Sequence, residues 1–287
     1  MEFRPATLHD TASIDTFLRA RSDTSMFLRS NLRAFGPCGG KAPHATRMWL
    51  QSEAGGALCG VLGISTAGFV LVQLPGGAEP VELRRVLCGA EIKGILGASD
   101  QARAVQQALA LGAAPAKLDD DEPLYSLDLD HLWVPPGETR LRRALPSDRD
   151  LLINWREEYL VETIHFSPEE AIETAPGDID GMMERGALML LQDTSGTPCA
   201  MTSFNAILPD MVQIGNVFTP DEKRGQGHAR RAVALHLERA RAAGVERAML
   251  FASGPAASRA YEAIGFDRIG RFTLLIFEQP QTICAAA

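Results

Sequence analysis

The sequence predicts a mixed α/β protein in which one strand-and-helix order is used twice, and three observations predict it. A short string recurs: Arg4-Pro5-Ala6-Thr7-Leu8-His9-Asp10 and Arg142-Arg143-Ala144-Leu145-Pro146-Ser147-Asp148 agree at Arg, Ala and Asp. The segments that follow each string read, from their hydrophobic period, as the same β-α-β-β-β-α-β-α-β order. Between them lies Val134-Pro135-Pro136-Gly137-Glu138, whose composition is that of a linker. The expected division is therefore a domain over 1–133, a linker over 134–138 and a second domain over 139–287.

Each recurring string reads as a short strand followed by a helix with an acid at its N-terminus, where the helix dipole favours negative charge. In the first half, RMWLQSEAGGALCGVLGIS reads as two strands around a Glu-Ala-Gly-Gly turn, and GFVLVQL as a third. EPVELRRVLCG is a short helix and EIKGILG a strand. SDQARAVQQALALG is a helix with Ser99 or Asp100 as its N-cap and with Ala102, Val105 and Leu109 on one face. LYSLDLDHLWV closes the half as an alternating strand.

The second half repeats the pattern. WREEYLVETIHF is helical, and Ser167-Pro168-Glu169-Glu170 opens another helix through a capping box between Ser167 and Glu170. ALMLLQD and PCAMTSFNAIL are strands joined by Thr194-Ser195-Gly196-Thr197, and MVQIGNVFT is a third. A helix follows in which Ala229, Ala232, Val233, His236, Leu237 and Ala240 make a buried stripe, ended by Gly244. RAMLFA is a strand, PAASRAYEAIG a helix, and FDRIGRFTLLIFE a closing strand pair.

Composition limits the function. The chain has 287 residues, enough for two domains, and 46% hydrophobic content supports packed cores. A formal net charge of -8 argues against nucleic acid, which needs clustered cations. Ala54–Ala78 carries no charge, but glycines and Pro75-Gly76-Gly77 break it into strand-sized runs, so no membrane partner is expected. Cys38, Cys59, Cys88, Cys199 and Cys284 are dispersed without metal or redox spacing, which fits free thiols in a reducing, cytoplasmic setting. MEFRPATLHD lacks the apolar region of a signal peptide. Asp119-Asp120-Asp121-Glu122 reads as a solvated acidic turn, and no metal is expected.

The functional signal is TPDEKRGQGHARRAV, residues 219–233, where a strand gives way to a helix. The first N–H groups of a helix lack intrahelical partners and face the positive end of its dipole. Gly225 and Gly227 let backbone approach an anion, and Lys223 and Arg224 add charge. A P-loop spacing is absent, and the third glycine of a dinucleotide fingerprint is Arg230. The spacing Arg224-x-x-Gly227-x-Ala229 instead resembles the pyrophosphate signature Q/R-x-x-G-x-G/A of the GNAT superfamily of acetyl-CoA-dependent N-acetyltransferases. Gly215-Asn216-Val217-Phe218-Thr219-Pro220 before it resembles that family's splayed strand, and Tyr261-x-x-x-Gly265-Phe266 after it resembles its closing helix.

The resemblance covers most of 138–279 and implies two tandem domains of the α+β kind, each a mixed, mostly antiparallel central sheet flanked by helices. Pro75-Gly76-Gly77-Ala78-Glu79-Pro80 stands in the first half where the phosphate loop belongs, without basic residues, so that half is expected to be a degenerate copy. The implied reaction is acetyl transfer from acetyl-CoA to an amine of a small molecule or peptide by direct attack. Val217, Phe218 and Thr219 would serve the thioester and pantetheine, and Arg224, Gly225, Gln226, Gly227, His228 and Ala229 the pyrophosphate. Tyr261 stands at the family's position for protonating the leaving thiolate. Ser253 stands where the family often has Asn. Glu158 and Glu162, at i and i+4 on one helix face with Glu157 beside them, are the candidate bases for the amine. Two other readings stay open: a non-catalytic acyl-CoA-binding module, and a transferase of a longer acyl group. A homodimer is allowed.

Overall fold

The computed structural model describes residues 2–283, which leaves Cys284 outside the described residues; the other four cysteines are free thiols. By its contacts the chain forms two units, one running through Glu122 and taking back the chain from Arg271, the other Pro123–Gly270.

The first unit opens with β1 (Phe3–Pro5), then α1 (Thr11–Arg19) and α2 (Ser22–Phe35). β2 (Thr46–Ser52), β3 (Leu58–Ser65) and β4 (Phe69–Gln73) follow, then α3 (Pro80–Leu87), β5 (Glu91–Ala98) and α4 (Ser99–Ala108). β1 to β4 pair antiparallel in chain order, and β4 pairs parallel with β5. The uncharged run 54–78 is explained by burial on both faces of this sheet. Val61 and Leu71 pack on Ile14, Leu18, Leu28 and Leu32 of α1 and α2, whereas Leu62, Val70 and Val72 pack on Leu83, Leu87, Ala102 and Val105 of α3 and α4. No helix among the described residues is long and apolar enough to cross a membrane.

β6 (Ala116–Asp128) crosses the division and enters the second unit from Pro123. Next come β7 (Arg140–Arg143), α5 (Arg149–Ile164), α6 (Pro168–Glu184), β8 (Leu188–Gln192), β9 (Pro198–Ile207) and β10 (Met211–Phe218). α7 (His228–Ala242), β11 (Arg247–Phe251) and α8 (Pro255–Glu262) complete the unit. Its strands lie in the order β6-β11-β10-β9-β8-β7, antiparallel except for β10 with β11. α5 and α6 cover one face through Leu152, Trp155, Ile179 and Met182. α7 and α8 cover the other through Val233, Leu237 and Tyr261, joined by Ile264 in the turn after α8.

The repeated entry string has one structure in both units. Arg4 grips Asp10 with two bonds of 2.9 and 2.6 Å, and Arg142 grips Asp148 with two of 2.6 and 2.8 Å. In each case the same carboxylate also accepts the N–H three residues back, from Thr7 or Leu145. That closes a short 3-10 turn from which the first helix grows.

Four expectations change in detail. The first half has two helices after its first strand where one is expected, because Ala20-Arg21 interrupts 11–35, whereas in the second half α6 opens at Ser167 as expected. The N-cap of α4 is Ala98, with no side-chain cap, since Ser99 is already helical. The closing strand pair is one strand, β12 (Asp267–Thr282), which pairs antiparallel with β5 from Phe272 onward. The expected linker falls within the second unit, where Arg231 of α7 binds carbonyls of Pro135, Gly137 and Thr139. The Ser167–Glu170 capping box is present, with reciprocal bonds of 3.2 and 3.1 Å.

Candidate active site

The site begins where two parallel strands part. β10 faces β11 only from Met211 to Gln213, opposite Arg247 to Met249, although β10 runs on to Phe218 and β11 to Phe251. On its other side β10 keeps β9, but the register shifts between Gly215 and Phe218. Asn216 sits in that shift with φ +51, so the strand carries a bulge that re-aims the backbone of Val217 and Phe218. A strand that has left its neighbour has N–H groups to offer to something else.

Past the gap, Thr219 and Pro220 lead into a 3-10 turn over Asp221–Lys223 and then the two glycines. Gly225 and Gly227 have φ +77 and +76, and Gly227 is the N-cap of α7. A Cβ on Gly225 would meet nothing within 4 Å, so the requirement there is the backbone conformation rather than space. α7 starts at His228 with no side-chain cap and no acid in its first turn, leaving its leading N–H groups toward an anion. Burial and neighbouring Lys223 push the His228 imidazole down from its usual range. Thr219 Oγ1 and Arg230 Nε, at the two ends of the loop, are buried without a hydrogen-bond partner among the described residues. Both need a polar group, and a phosphate-bearing ligand fits that need.

Arg224 does not lie free beside the glycines. Its Nε donates to the Thr219 carbonyl at 2.9 Å, and its Nη2 bonds Glu162 of α5 at 2.7 Å. Its Nη1 meets Asp221 at 2.5 Å, and the guanidinium lies 5.6 Å from the Phe218 ring centre. The predicted acids are thus brought to the loop. Glu162 holds Arg224, and Glu158 one turn earlier has its carboxyl pushed up, first by burial and then by Glu162, Glu222 and Asp221. Both line a groove of about 310 Å³ between α5 and α6, with Glu157, Val161, Pro168, Ala171 and Ile172.

Tyr261 is 7% exposed and packs edge-on to Phe266 at 6.1 Å. It shares a cluster with Ile214 and the partly buried Val217, which puts it on the α7 side of the gap. Ser253 is exposed in the turn after β11, just before Gly254, whose φ of +123 starts α8.

Residues 149–266 match the family model of the acetyltransferase (GNAT) family. The second half of the chain carries a GNAT acetyltransferase domain. Solved structures extend the likeness over both halves. A GCN5-related N-acetyltransferase from Kribbella flavida superposes with a TM-score of 0.58 at 16% identity, over 90% of this chain and 95% of that one. One from Sphaerobacter thermophilus gives 0.56 at 13%, over 98% and 96%. A tandem GNAT protein from the clavulanic acid biosynthesis pathway gives 0.55 at 16%, over 96% and 97%. At these identities the likeness is one of fold. No curated protein matches the sequence.

Sequence reasoning missed part of the GNAT domain's site. By pattern Asn216 is a strand residue, yet Gly215-Asn216 inside a strand pattern is a bulge signal, and Asn tolerates positive φ. Its partners Arg156 and Asn205, and the Asp178 that clamps Arg156, come from three other elements, and no local spacing marks them. Gln213, the last residue paired with β11 before the gap, is fully buried with neither amide atom hydrogen-bonded among the described residues. Among the described residues no group of three His, Cys, Asp or Glu could hold a metal.

Proposed function

We propose that the GNAT domain binds acetyl-CoA along the gap between β10 and β11 and transfers its acetyl group to an amine of a small molecule or peptide by direct attack. The observation that carries this reading is the end of parallel pairing at Gln213, directly ahead of the bulge and the glycine turn. Bound there, acetyl-CoA supplies an activated thioester. The N–H groups of Val217 and Phe218 donate to its carbonyl oxygen, where negative charge grows as the amine attacks. Thr219 continues the same extended pairing toward the pantetheine, with Ser253 on the opposite lip. Arg224, Gly225, Gln226, Gly227, His228 and Ala229 surround the pyrophosphate, mainly through backbone N–H groups at the positive end of α7.

The amine must arrive neutral. Glu158 takes its proton, helped by the raised carboxyl pKa, while Glu162 keeps Arg224 in place and repels charge on Glu158. The N–C bond forms, the C–S bond breaks, Tyr261 passes a proton to the departing sulfur, and the nitrogen releases its remaining extra proton to solvent, from which Tyr261 is reprotonated. The α5–α6 groove, with acids beside apolar Val161 and Ile172, suits an amine carrying an apolar arm. The first half is a copy without the cofactor site, and the four free thiols fit a reducing, cytoplasmic setting.

Calorimetric titration with acetyl-CoA, followed by thiol release with a panel of amines, tests the reading. Tight binding with no amine-dependent thiol release would make the domain a binding module instead. Faster release from propionyl-CoA than from acetyl-CoA would shift the donor to a longer acyl group.

A further inference from the structure

The bulge in β10 is held from outside the strand. Asn216 has a left-handed backbone, and its side chain is fixed at both ends. Oδ1 accepts from Nη1 of Arg156 on α5 at 2.5 Å. Nδ2 donates to Oδ1 of Asn205 on β9 at 2.8 Å and lies 3.3 Å from the sulfur of Met182 on α6. Arg156 is itself clamped by Asp178 of α6, whose Oδ2 accepts from Nε at 2.9 Å and from Nη2 at 2.6 Å. The Arg156 side chain is only 12% exposed, so water competes little for these bonds. Gly215 makes the arrangement possible, since a Cβ there would lie 2.1 Å from Nδ2 of Asn205.

We infer that Asp178 and Arg156 are positioning residues for acetyl transfer, acting through Asn216 to aim the Val217 and Phe218 N–H groups. This rests on the proposed acetyltransferase reading for its chemistry, while the geometry stands by itself. The torsions of Asn216 fix the direction of the next two peptide units. A donor that must meet developing charge within a few tenths of an ångström gains from a rigid support. The support comes from two helices that also wall the groove assigned to the amine, so the groove and the thioester donors share one set of bonds.

Three substitutions separate this role from simple stabilisation. Asn216→Gly keeps access to positive φ but drops both side-chain bonds. Arg156→Ala leaves the strand untouched and removes the clamp, and Arg156→Lys keeps the charge near Asp178 without the fork. Each is expected to lower kcat by about tenfold or more while KM for acetyl-CoA moves by less than about threefold, because the lost interaction acts on the transition state. Millimolar guanidinium should restore Arg156→Ala but not Asn216→Gly, and the double variant should be no worse than the worse single one. Values of kcat within about twofold of wild type in folded Asn216→Gly and Arg156→Ala would overturn the inference. Additive losses without guanidinium rescue would do the same.

A second readout does not depend on turnover. The amide resonances of Val217 and Phe218 should move in both Asn216→Gly and Arg156→Ala without any ligand, and unmoved resonances in Arg156→Ala would overturn the relay. A wild-type protein that neither binds acetyl-CoA nor releases thiol would instead defeat the proposed function.

Discussion

The two halves use one plan to opposite ends at the same place. In the first unit β4 stays paired with β5 from Phe69 through Val72, one residue short of its end. In the second, β10 leaves β11 at Gln213 and runs on to Phe218 paired only with β9. The closed pair is also tight, since a Cβ on Gly97 of β5 would lie 3.0 Å from the Val72 side chain. The turns that follow each hold two glycines, with Gly77 at φ +71 much like Gly225 and Gly227. Beyond them the chemistry diverges. α3 has Glu79 at its N-cap and Glu82 in its first turn, whereas α7 has no acid there and follows Lys223-Arg224. The comparison teaches that glycines do not make a phosphate site. On the proposed reading, strand separation admits the ligand, and a helix start free of carboxylates welcomes its charge.

The largest expected effect separates the halves by chemistry. α4 carries no tyrosine, and Tyr261 in α8 is assigned the proton for the leaving sulfur. Tyr261→Phe should reduce kcat on the order of 100-fold with KM for acetyl-CoA changed by less than about threefold. Undiminished turnover would remove Tyr261 from the mechanism and leave it a core residue.

The next test sets one glycine against the other. Val at Gly227 or at Gly77 meets a positive φ in both cases, and either should cost roughly 1–3 kcal/mol of stability. Only Gly227→Val should weaken acetyl-CoA binding, by about tenfold or more, since only that loop is read as facing pyrophosphate. Titration calorimetry on the two folded variants decides it. Equal weakening would mean that the first unit also contributes to binding, and the contrast drawn between the loops would fall.

Much of this was legible in the sequence because it is local. The Arg4…Asp10 and Arg142…Asp148 strings mark a strand-to-helix entry within seven residues, although the ion pair that closes it needs the fold, and the buried stripe on α7 follows helical period. The glycine turn and its helix start were likewise written in one stretch. What was not legible depends on residues far apart in the chain. The exit of β10 from β11 is a matter of registry between strands. The clamp on Asn216 joins residues 156, 178, 205 and 216 across four elements. Arg224 illustrates the limit: its place in the signature was readable, but its bond to Glu162, an acid considered for other reasons, required the fold. The path of β12 back to β5 was hidden as well, since an alternating strand does not announce its partner.

A smaller effect distinguishes the helix cores. Under α7, His236 is buried, stacked on Phe204 at 3.7 Å, and its Nδ1 has no hydrogen-bond partner among the described residues. Under α3 the corresponding packing is made by Leu83 and Leu87. Burial, with Arg239 second, pushes the His236 imidazole down to about 3. Its folded value lies below its unfolded one, so the unfolded chain takes up the proton first as pH falls. Stability should therefore drop between about pH 6.5 and pH 3, by up to about 1.4 kcal/mol per unit. His236→Leu should flatten that limb in urea unfolding. An unchanged slope would show that other groups set the acid limit.

The smallest effect asks how far the halves remain alike. Asp10 and Asp148 each accept two bonds from an arginine and one from a backbone N–H, Asp10 taking one more from the Thr7 hydroxyl, with side-chain exposures of 14% and 10%. In both, the arginine beside it holds the carboxyl below its usual range, ahead of the backbone bond. Such a group stabilises above its unfolded pKa, and the contribution is lost as pH falls toward the folded value. Asp10→Asn and Asp148→Asn should each cost about 1 kcal/mol at neutral pH, since partly exposed pairs of good geometry fall in that range. The costs should agree within about 0.5 kcal/mol and fade below pH 4. A large excess at Asp148 would mean that this turn also supports α5, the helix that carries Arg156, Glu158 and Glu162, and that the second half has put a shared structural device to catalytic use.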